Sequence, residues 1–163
     1  MNPGDVWYFA YGSNLSVDQK EFRTGRIRQA IKCQLPGYRL AFNKAGTGGH
    51  VYANVMPDAA GEVWGVAYLC DRPAMRELDR FEGVAGGHYH RQNVEVVTEA
   101  GEHLSAVAYI AGPRPVSEEG RPTAEYLERI LTGAAHHGLP AEYIRQIAQL
   151  AANPPLPGQE RRH

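Results

Sequence analysis

A glutamate at the end of a predicted helix is the first residue of this sequence whose surroundings indicate chemistry. Glu82 closes the helix predicted over residues 71–82. Backbone carbonyls at a helix C-terminus disfavour negative charge, and the neighbours Phe81 and Val84 favour partial burial. Both effects raise the pKa of a carboxyl group, which suits a general base or acid near neutral pH. The alternative is a solvated glutamate at a frayed helix end.

The segment YFAYGSNL at residues 8–15 is the second candidate. A short apolar strand ends there in a Gly-Ser-Asn turn, directly before a helix that Ser16 is predicted to cap. Such a turn exposes consecutive backbone N–H groups, and the helix N-terminus adds partial positive charge. This geometry suits a carboxylate or a developing oxyanion. The alternative is an ordinary strand-to-helix turn.

Other familiar site types are missing from the sequence. It contains no glycine-rich loop ending in Lys-Ser/Thr, no CxxC pair and no HExxH motif. His88 and His90 alternate along a predicted strand, and we interpret them as a polar face rather than a metal pair. His136 and His137 are interpreted as solvated helix surface. We therefore expect no metal and no cofactor.

Composition narrows the class of protein. The chain has 163 residues, with 17 Lys plus Arg against 18 Asp plus Glu, which does not favour a nucleic-acid partner. No apolar stretch reaches the ~20 residues that a membrane span needs, and the first residues lack the features of a secretory signal. We expect a cytoplasmic protein whose two cysteines, Cys33 and Cys70, are buried or half-buried thiols. One domain is predicted over residues 1–153, with a flexible, Pro-rich tail over 154–163.

Strands are predicted mainly in the first part of the chain and helices mainly in the last part. Helices are predicted from Ser16, over residues 71–82, and from Thr123 and Pro140. The strand predictions cover residues 6–11, 27–35, 38–42, 51–56, 62–69, 88–98 and 103–110, with turns at 36–37 and 57–61. The last two strands read as a hairpin. This order predicts the α+β class, with a small curled or closed sheet.

In this order and spacing, the motifs resemble those of the γ-glutamylcyclotransferase family. YFAYGSNL is followed by GEVWGV at 61–66, LDRFEGV at 78–84, GHY at 87–89, and AEY and GLPAEY in the C-terminal part. The resemblance runs from about Trp7 to Pro154. The C-terminal motifs resemble the γ-glutamylcyclotransferase branch more than the glutathione-specific branch. That branch has a YGSLIW-type loop, whereas this sequence has Asn14-Leu15-Ser16.

The resemblance implies a small mixed β-barrel flanked by helices, with a cavity at its mouth and Glu82 as the catalytic acid/base. It implies a lyase of glutathione metabolism (EC 4.3.2 type) that cyclises γ-glutamyl amino acids or amines to 5-oxoproline and the free amine. It also implies a small-molecule substrate, no cofactor and a homodimer. The substrate-binding residues that we expect are Tyr8, Phe9, Ala10, Tyr11, Gly12, Ser13, Asn14, Tyr89 and Tyr126.

Two alternatives stay open from the sequence. One is a module that binds γ-glutamyl compounds or amino acids without turnover. The other is a cyclotransferase specific for γ-glutamylamines or for a γ-glutamyl-protected metabolite. The loop over residues 112–122, which is slightly longer than the family form, bears on the leaving group rather than on the chemistry.

Overall fold

Five β-strands close into a barrel within residues 1–155, the part of the chain that this computed structural model describes. The strands are β1 (Val6–Ala10), β2 (Ala30–Ala45), β3 (Val51–Cys70), β4 (His90–Thr98) and β5 (His103–Ile110). The helices are α1 (Val17–Thr24), α2 (Arg72–Phe81), α3 (Ala124–His136) and α4 (Ala141–Ala152). The order around the barrel is β1-β3-β2-β4-β5, and a parallel β1–β5 pair closes it.

The predicted α+β class, with a closed mixed barrel flanked by helices, is confirmed. The hairpin predicted over residues 88–110 is the antiparallel β4–β5 pair. No helix within residues 1–155 is long and apolar enough to cross a membrane. Most of the predicted flexible tail, residues 156–163, lies outside the described residues.

The sequence predicted that turns at residues 36–37 and 57–61 end strands, and this prediction is wrong. Both fall inside the long strands β2 and β3, where Pro36 pairs with Glu62 but Tyr38 pairs with Pro57. The register of the β2–β3 pair therefore shifts between Pro36 and Tyr38. Gly37, which lies at this shift, has a left-handed φ of 83°. Turn-forming residues here bend a continuous strand pair, which helps a sheet to curl into a barrel.

Helix α2 forms as its sequence predicts and carries Glu82 at its end. The Asp71 side chain accepts a hydrogen bond from the Ala74 N–H at 2.9 Å, and a proline lies in the first turn. Met75 and Leu78 are buried on its inner face. Burial of side chains of this size contributes about 1.5–3 kcal/mol each, so this face fixes α2 against the barrel.

Helix α3 packs backbone to backbone against the segment that follows β1. A Cβ atom built on Gly133 would lie 2.3 Å from the carbonyl carbon of Leu15 and 2.6 Å from the Ser16 nitrogen. Only a glycine permits this approach. The contact fixes the position of the Gly-Ser-Asn turn, because Leu15 ends the short 3-10 helix that the turn begins.

The loop over residues 112–122 runs along the last part of β2, beyond the residues that pair with β4. Three main-chain hydrogen bonds join them, from Ala45 N–H to Pro115 at 2.7 Å, from Ser117 N–H to Asn43 at 2.7 Å, and from Gly120 N–H to Phe42 at 2.9 Å. The end of β2 is thus held between β3 on one side and this loop on the other. This arrangement buries residues 41–44 of β2.

Candidate active site

A cavity of about 410 Å³ opens at the end of the barrel where β1, β2 and β5 finish and β3 begins. Residues from the turn after β1, from α1, from the end of α2 and from α3 contribute to its wall. Aromatic, amide and charged side chains dominate the wall. The lining residues are Tyr8, Tyr11, Gly12, Ser13, Asn14, Gln19, Arg23, Lys44, Tyr52, Ala53, Phe81, Glu82, Gly83, His88, Tyr89, Tyr109, Tyr126 and Arg129.

Glu82 is the C-cap residue of α2, and its half-buried side chain reaches this cavity. Its backbone N–H donates to the Leu78 carbonyl at 2.8 Å, and the left-handed Gly83 then turns the chain away. Burial raises the pKa of Glu82 to about 7, against the opposing effects of Arg23 and Lys44. A carboxyl group with this pKa can both accept and donate a proton near neutral pH.

The Asn14 side chain connects the turn to Glu82. Its amide nitrogen donates to the Tyr8 hydroxyl at 2.9 Å and lies 3.5 Å from Glu82 Oε1. Its amide oxygen accepts hydrogen bonds from Gln19 at 3.0 Å and Arg23 at 3.2 Å. Because Gln19 and Arg23 are donors, the Asn14 amide is oriented with its NH₂ group toward Glu82.

The turn at residues 12–14 presents unused backbone donors. The first hydrogen bond of the 3-10 helix runs from Leu15 N–H to the Gly12 carbonyl at 3.0 Å. The N–H groups of Ser13 and Asn14 precede it, and neither makes a hydrogen bond within residues 1–155. The Gln19 amide donates to Ser13 Oγ at 2.6 Å, which fixes the turn against α1.

Two tyrosines of the wall are fixed by a single residue of β3. The Tyr89 hydroxyl donates to the Ala53 carbonyl at 2.7 Å, and the Ala53 N–H donates to the Tyr126 hydroxyl at 3.0 Å. Burial raises the pKa of both phenols far above neutrality. They therefore form a neutral, rigid part of the wall.

The structure brings eight of the ten expected site residues together on the cavity wall. The other two, Phe9 and Ala10, are fully buried and do not line the cavity. Their backbones pair with Ala67 and Val66 in the β1–β3 ladder. The Phe9 ring packs so tightly on Gly65 that a Cβ atom there would lie 2.8 Å from it. Phe9 and Ala10 therefore build the barrel core beneath the site.

A model of the AIG2-like family matches residues 62–147, just over half of the chain. The chain belongs to the AIG2-like family. The γ-glutamylcyclotransferase of Homo sapiens is 29% identical over 151 residues, which cover 90% of this chain and 79% of that protein. A solved structure titled "Gamma-glutamyl cyclotransferase" is 28% identical, with a TM-score of 0.81 and coverage of 88% of this chain and 86% of that one.

The AIG2-like fold extends to a more distant structure, YkqA from Bacillus subtilis. That chain has a TM-score of 0.81 at 24% identity, and the match covers 91% of this chain but 55% of YkqA. The match to the family model and the γ-glutamylcyclotransferase relatives confirm the family resemblance predicted from YFAYGSNL, GEVWGV and LDRFEGV.

Three cations line this site, Arg23, Lys44 and Arg129, and none of them was predicted from the sequence. Arg129 pairs with Glu125 at 2.9 Å. Arg23 lies on α1 with its guanidinium 4.9 Å from the centre of the Phe81 ring, and Lys44 lies near the end of β2. Neither forms a salt bridge within residues 1–155. The polar Asn43-Lys44 pair at the end of an apolar strand was the available signal for Lys44. Glu82 is the one carboxylate among the described lining residues.

His137 departs from the sequence interpretation, whereas His88, His90 and His136 are exposed. His88 reaches the cavity, with its Nδ1 atom 2.9 Å from Lys44 Nζ, whereas His90 begins β4 on the surface. His136 is exposed, but His137 is not solvated surface, because its Nε2 lies 3.0 Å from both the Tyr68 hydroxyl and the Leu15 carbonyl. Among residues 1–155, no group of three or more His, Cys, Asp or Glu side chains is arranged to hold a metal ion.

Proposed function

We propose that this protein is a γ-glutamylcyclotransferase that releases 5-oxoproline and a free amine from γ-glutamyl amino acids or amines. The observation that carries the proposal is Glu82, a carboxyl group with a pKa of about 7 that faces a 410 Å³ cavity. Ser13 and Asn14, whose backbone N–H groups make no hydrogen bond within residues 1–155, line the same cavity. The relatives that bear the name γ-glutamylcyclotransferase support the same reaction.

The proposed reaction begins with a proton transfer to Glu82. The α-ammonium group of the substrate cannot attack until its proton is removed, and ionised Glu82 accepts that proton. The free amine then adds to the γ-carbonyl carbon of the same molecule and closes a five-membered ring. When the tetrahedral intermediate collapses, the bond to the leaving nitrogen breaks and Glu82 gives its proton to that nitrogen. The second proton of the ring nitrogen passes to the released amine, which departs as an ammonium ion, so Glu82 is again ionised.

The wall of the cavity favours this cyclisation by holding the substrate curled. Well-oriented intramolecular reactions reach effective molarities of ~10⁵–10⁸ M. We assign the α-carboxylate to the free N–H groups of Ser13 and Asn14, with Arg23 beside them. The phenols of Tyr8, Tyr11, Tyr89 and Tyr126 enclose the remainder of the γ-glutamyl chain. The same N–H groups are the alternative site for the oxyanion of the intermediate.

A binding module without turnover is the competing function. A pocket that only binds a γ-glutamyl group would pair its α-ammonium group with a carboxylate that stays ionised at neutral pH. A half-buried carboxyl group whose pKa is raised to about 7 is a weaker partner for that cation. The raised pKa of Glu82 has a direct use only if the residue exchanges protons.

Incubation with a panel of γ-glutamyl dipeptides tests the proposal. Formation of 5-oxoproline supports cyclotransfer, whereas free glutamate would indicate hydrolysis, and neither product from any substrate would favour the binding module. An N-acetylated γ-glutamyl dipeptide is the matched negative control, because its amide nitrogen cannot act as the nucleophile. Activity should persist in EDTA, since the proposal includes no metal and no cofactor. Light scattering of the purified protein tests the homodimer that also belongs to this proposal.

A further inference from the structure

Lys44 is a buried cation whose hydrogen-bonding capacity is only partly used. The residue is 5% exposed, yet its side chain lines the cavity. One ammonium proton is directed at the Ala45 carbonyl at 2.7 Å and another at His88 Nδ1 at 2.9 Å. A lysine ammonium carries three protons, and the third finds no acceptor within residues 1–155.

The position of Lys44 is fixed from several sides. Its strand is held between β3 and the loop over residues 112–122. Its ammonium lies 5.9 Å and 5.8 Å from the centres of the Tyr52 and Tyr89 rings. His88 is itself anchored, because its backbone N–H donates to the Gly83 carbonyl at 3.0 Å. The unused proton of Lys44 is therefore held in place and is not on a mobile side chain.

The two unpaired cations of the cavity reach Glu82 from different walls. Arg23 lies on the α1 wall and donates a hydrogen bond to Asn14, which belongs to the turn at residues 12–14. Lys44 belongs to the β2 wall and meets the loop that follows Glu82, through His88. Both cations lower the pKa of Glu82, so both are within electrostatic reach of it.

A γ-glutamyl amide also has two sides. Its α-carboxylate lies on one side of the reacting carbonyl, and its leaving group lies on the other. The turn and Arg23 form the α-carboxylate site in the proposed function, so the Lys44 wall faces the leaving group. We propose that Lys44, held by His88, determines specificity for leaving groups that carry a carboxylate, in preference to uncharged amines. This inference rests on the proposed function and assigns its leaving-group site.

The energetics of a buried ammonium agree with this assignment. Burial lowers the pKa of Lys44, because the charged form has lost water; the charge of Glu82 opposes this shift, but no carboxylate within residues 1–155 forms a salt bridge with Lys44. A substrate carboxylate would supply a charge-assisted hydrogen bond, which is among the stronger polar contacts in proteins. An uncharged amine would leave the third proton unpaired.

A matched pair of substrates tests the inference. γ-Glutamylalanine and γ-glutamylalaninamide differ only in a carboxylate against a carboxamide on the leaving group. We expect kcat/KM for the acid to exceed that for the amide by about tenfold or more. In Lys44→Met this ratio should fall toward one, with the loss confined mainly to the acid. Lys44→Arg should keep part of the preference.

The control is Lys32→Met, which removes a lysine that is paired with Glu99 at 2.8 Å and lies off the cavity wall. Its ratio should equal that of the unmodified protein. Equal rates for both substrates in the unmodified protein would overturn the inference and leave cyclotransfer intact. An unchanged ratio in Lys44→Met would overturn the role of Lys44. If Lys44→Met does not fold, Lys44→Gln is measured with the same criteria. No 5-oxoproline from either substrate would overturn the proposed function, and this inference with it.

Discussion

The side-chain amide of Asn14 lies 3.5 Å from a carboxylate oxygen of Glu82, although 68 positions separate the two residues in the sequence. Asn14 belongs to the turn that presents free N–H groups, and Glu82 is the residue with the raised pKa. The Asn14 amide is oriented by Gln19 and Arg23, so the turn and the carboxyl group form one connected unit. A substrate held by the turn would have its α-amine placed close to the proposed base.

Replacing Glu82 with glutamine tests the proposed base directly. Glu82→Gln keeps the size of the side chain but removes its ability to accept a proton. We expect turnover to fall by at least the ~10²–10⁴-fold that one acid/base group supplies, because Glu82 serves two proton transfers. The measurement is 5-oxoproline formation, with substrate binding followed by calorimetry. Binding should survive, since the turn is assigned the α-carboxylate.

The matched control is Glu77→Gln on the exposed face of the same helix. Glu77 pairs with Arg80 at 2.8 Å on the surface, so its loss should change neither turnover nor binding. If Glu82→Gln is folded, binds substrate and keeps a near-normal rate, then the function has to be rebuilt around another group.

The pH dependence of stability tests the raised pKa independently of catalysis. Folded Glu82 keeps its proton up to about pH 7, whereas the unfolded chain loses it near the ordinary value of 4.5. Its contribution is therefore fully present below pH 4.5 and is lost as pH rises toward 7. As pH rises from 4.5 to 7, the free energy of unfolding of Glu82→Gln should increase relative to that of the unmodified protein, by up to about 3 kcal/mol. Urea denaturation from pH 5 to 8 measures it, and a constant difference would refute the raised pKa.

Short sequence patterns were enough to predict Glu82 and the Gly-Ser-Asn turn as candidate site features. A capped helix, a carboxylate at its end and a Gly-Ser-Asn turn after an apolar strand are all visible within a few residues. The positions of Arg23 and Lys44 depend on tertiary packing, because α1 must lie against α2 and the loop over residues 112–122 must cover β2. No pattern within either segment specifies those contacts.

The strand boundaries were wrong for a related reason. Residues such as Pro36 and Gly37 are typical of turns, and in a flat hairpin they would end a strand. In a closed barrel the strands must bend, and turn-forming residues are tolerated where the pairing slips. The turn-forming residues at 57–61 likewise interrupt the regular pairing of β3 with β2, but they do so inside one continuous strand.

Arg23 is expected to act on both substrate binding and Glu82. The change Arg23→Gln removes a cation that lowers the pKa of Glu82 and that lies beside the proposed α-carboxylate site. The acidic limb of the pH profile of kcat/KM should therefore move to higher pH, and KM should rise by roughly tenfold. The exposed Arg26→Gln is the control. A higher KM with an unmoved acidic limb would separate Arg23 from Glu82.

The close contact at Gly133 is expected to connect helix packing with substrate binding. In Gly133→Ala the new Cβ would meet the Leu15 carbonyl group at 2.3–2.4 Å and the Ser16 nitrogen at 2.6 Å, all of them backbone atoms. Helix α3 or the turn must move, at a cost of about 1–3 kcal/mol in the free energy of unfolding. Because Leu15 ends the 3-10 helix that presents the free N–H groups, the affinity for a γ-glutamyl dipeptide should fall as well.

Gly120→Ala is the control for this change, since a Cβ there meets only the Val51 side chain at 3.4 Å, an ordinary van der Waals distance. Urea denaturation and calorimetric titration of both variants measure the two effects. A Gly133→Ala protein that is destabilised but binds substrate normally would show that the turn keeps its geometry without α3. The α-carboxylate site would then depend on Gln19 and Ser13, whose 2.6 Å hydrogen bond ties the turn to α1.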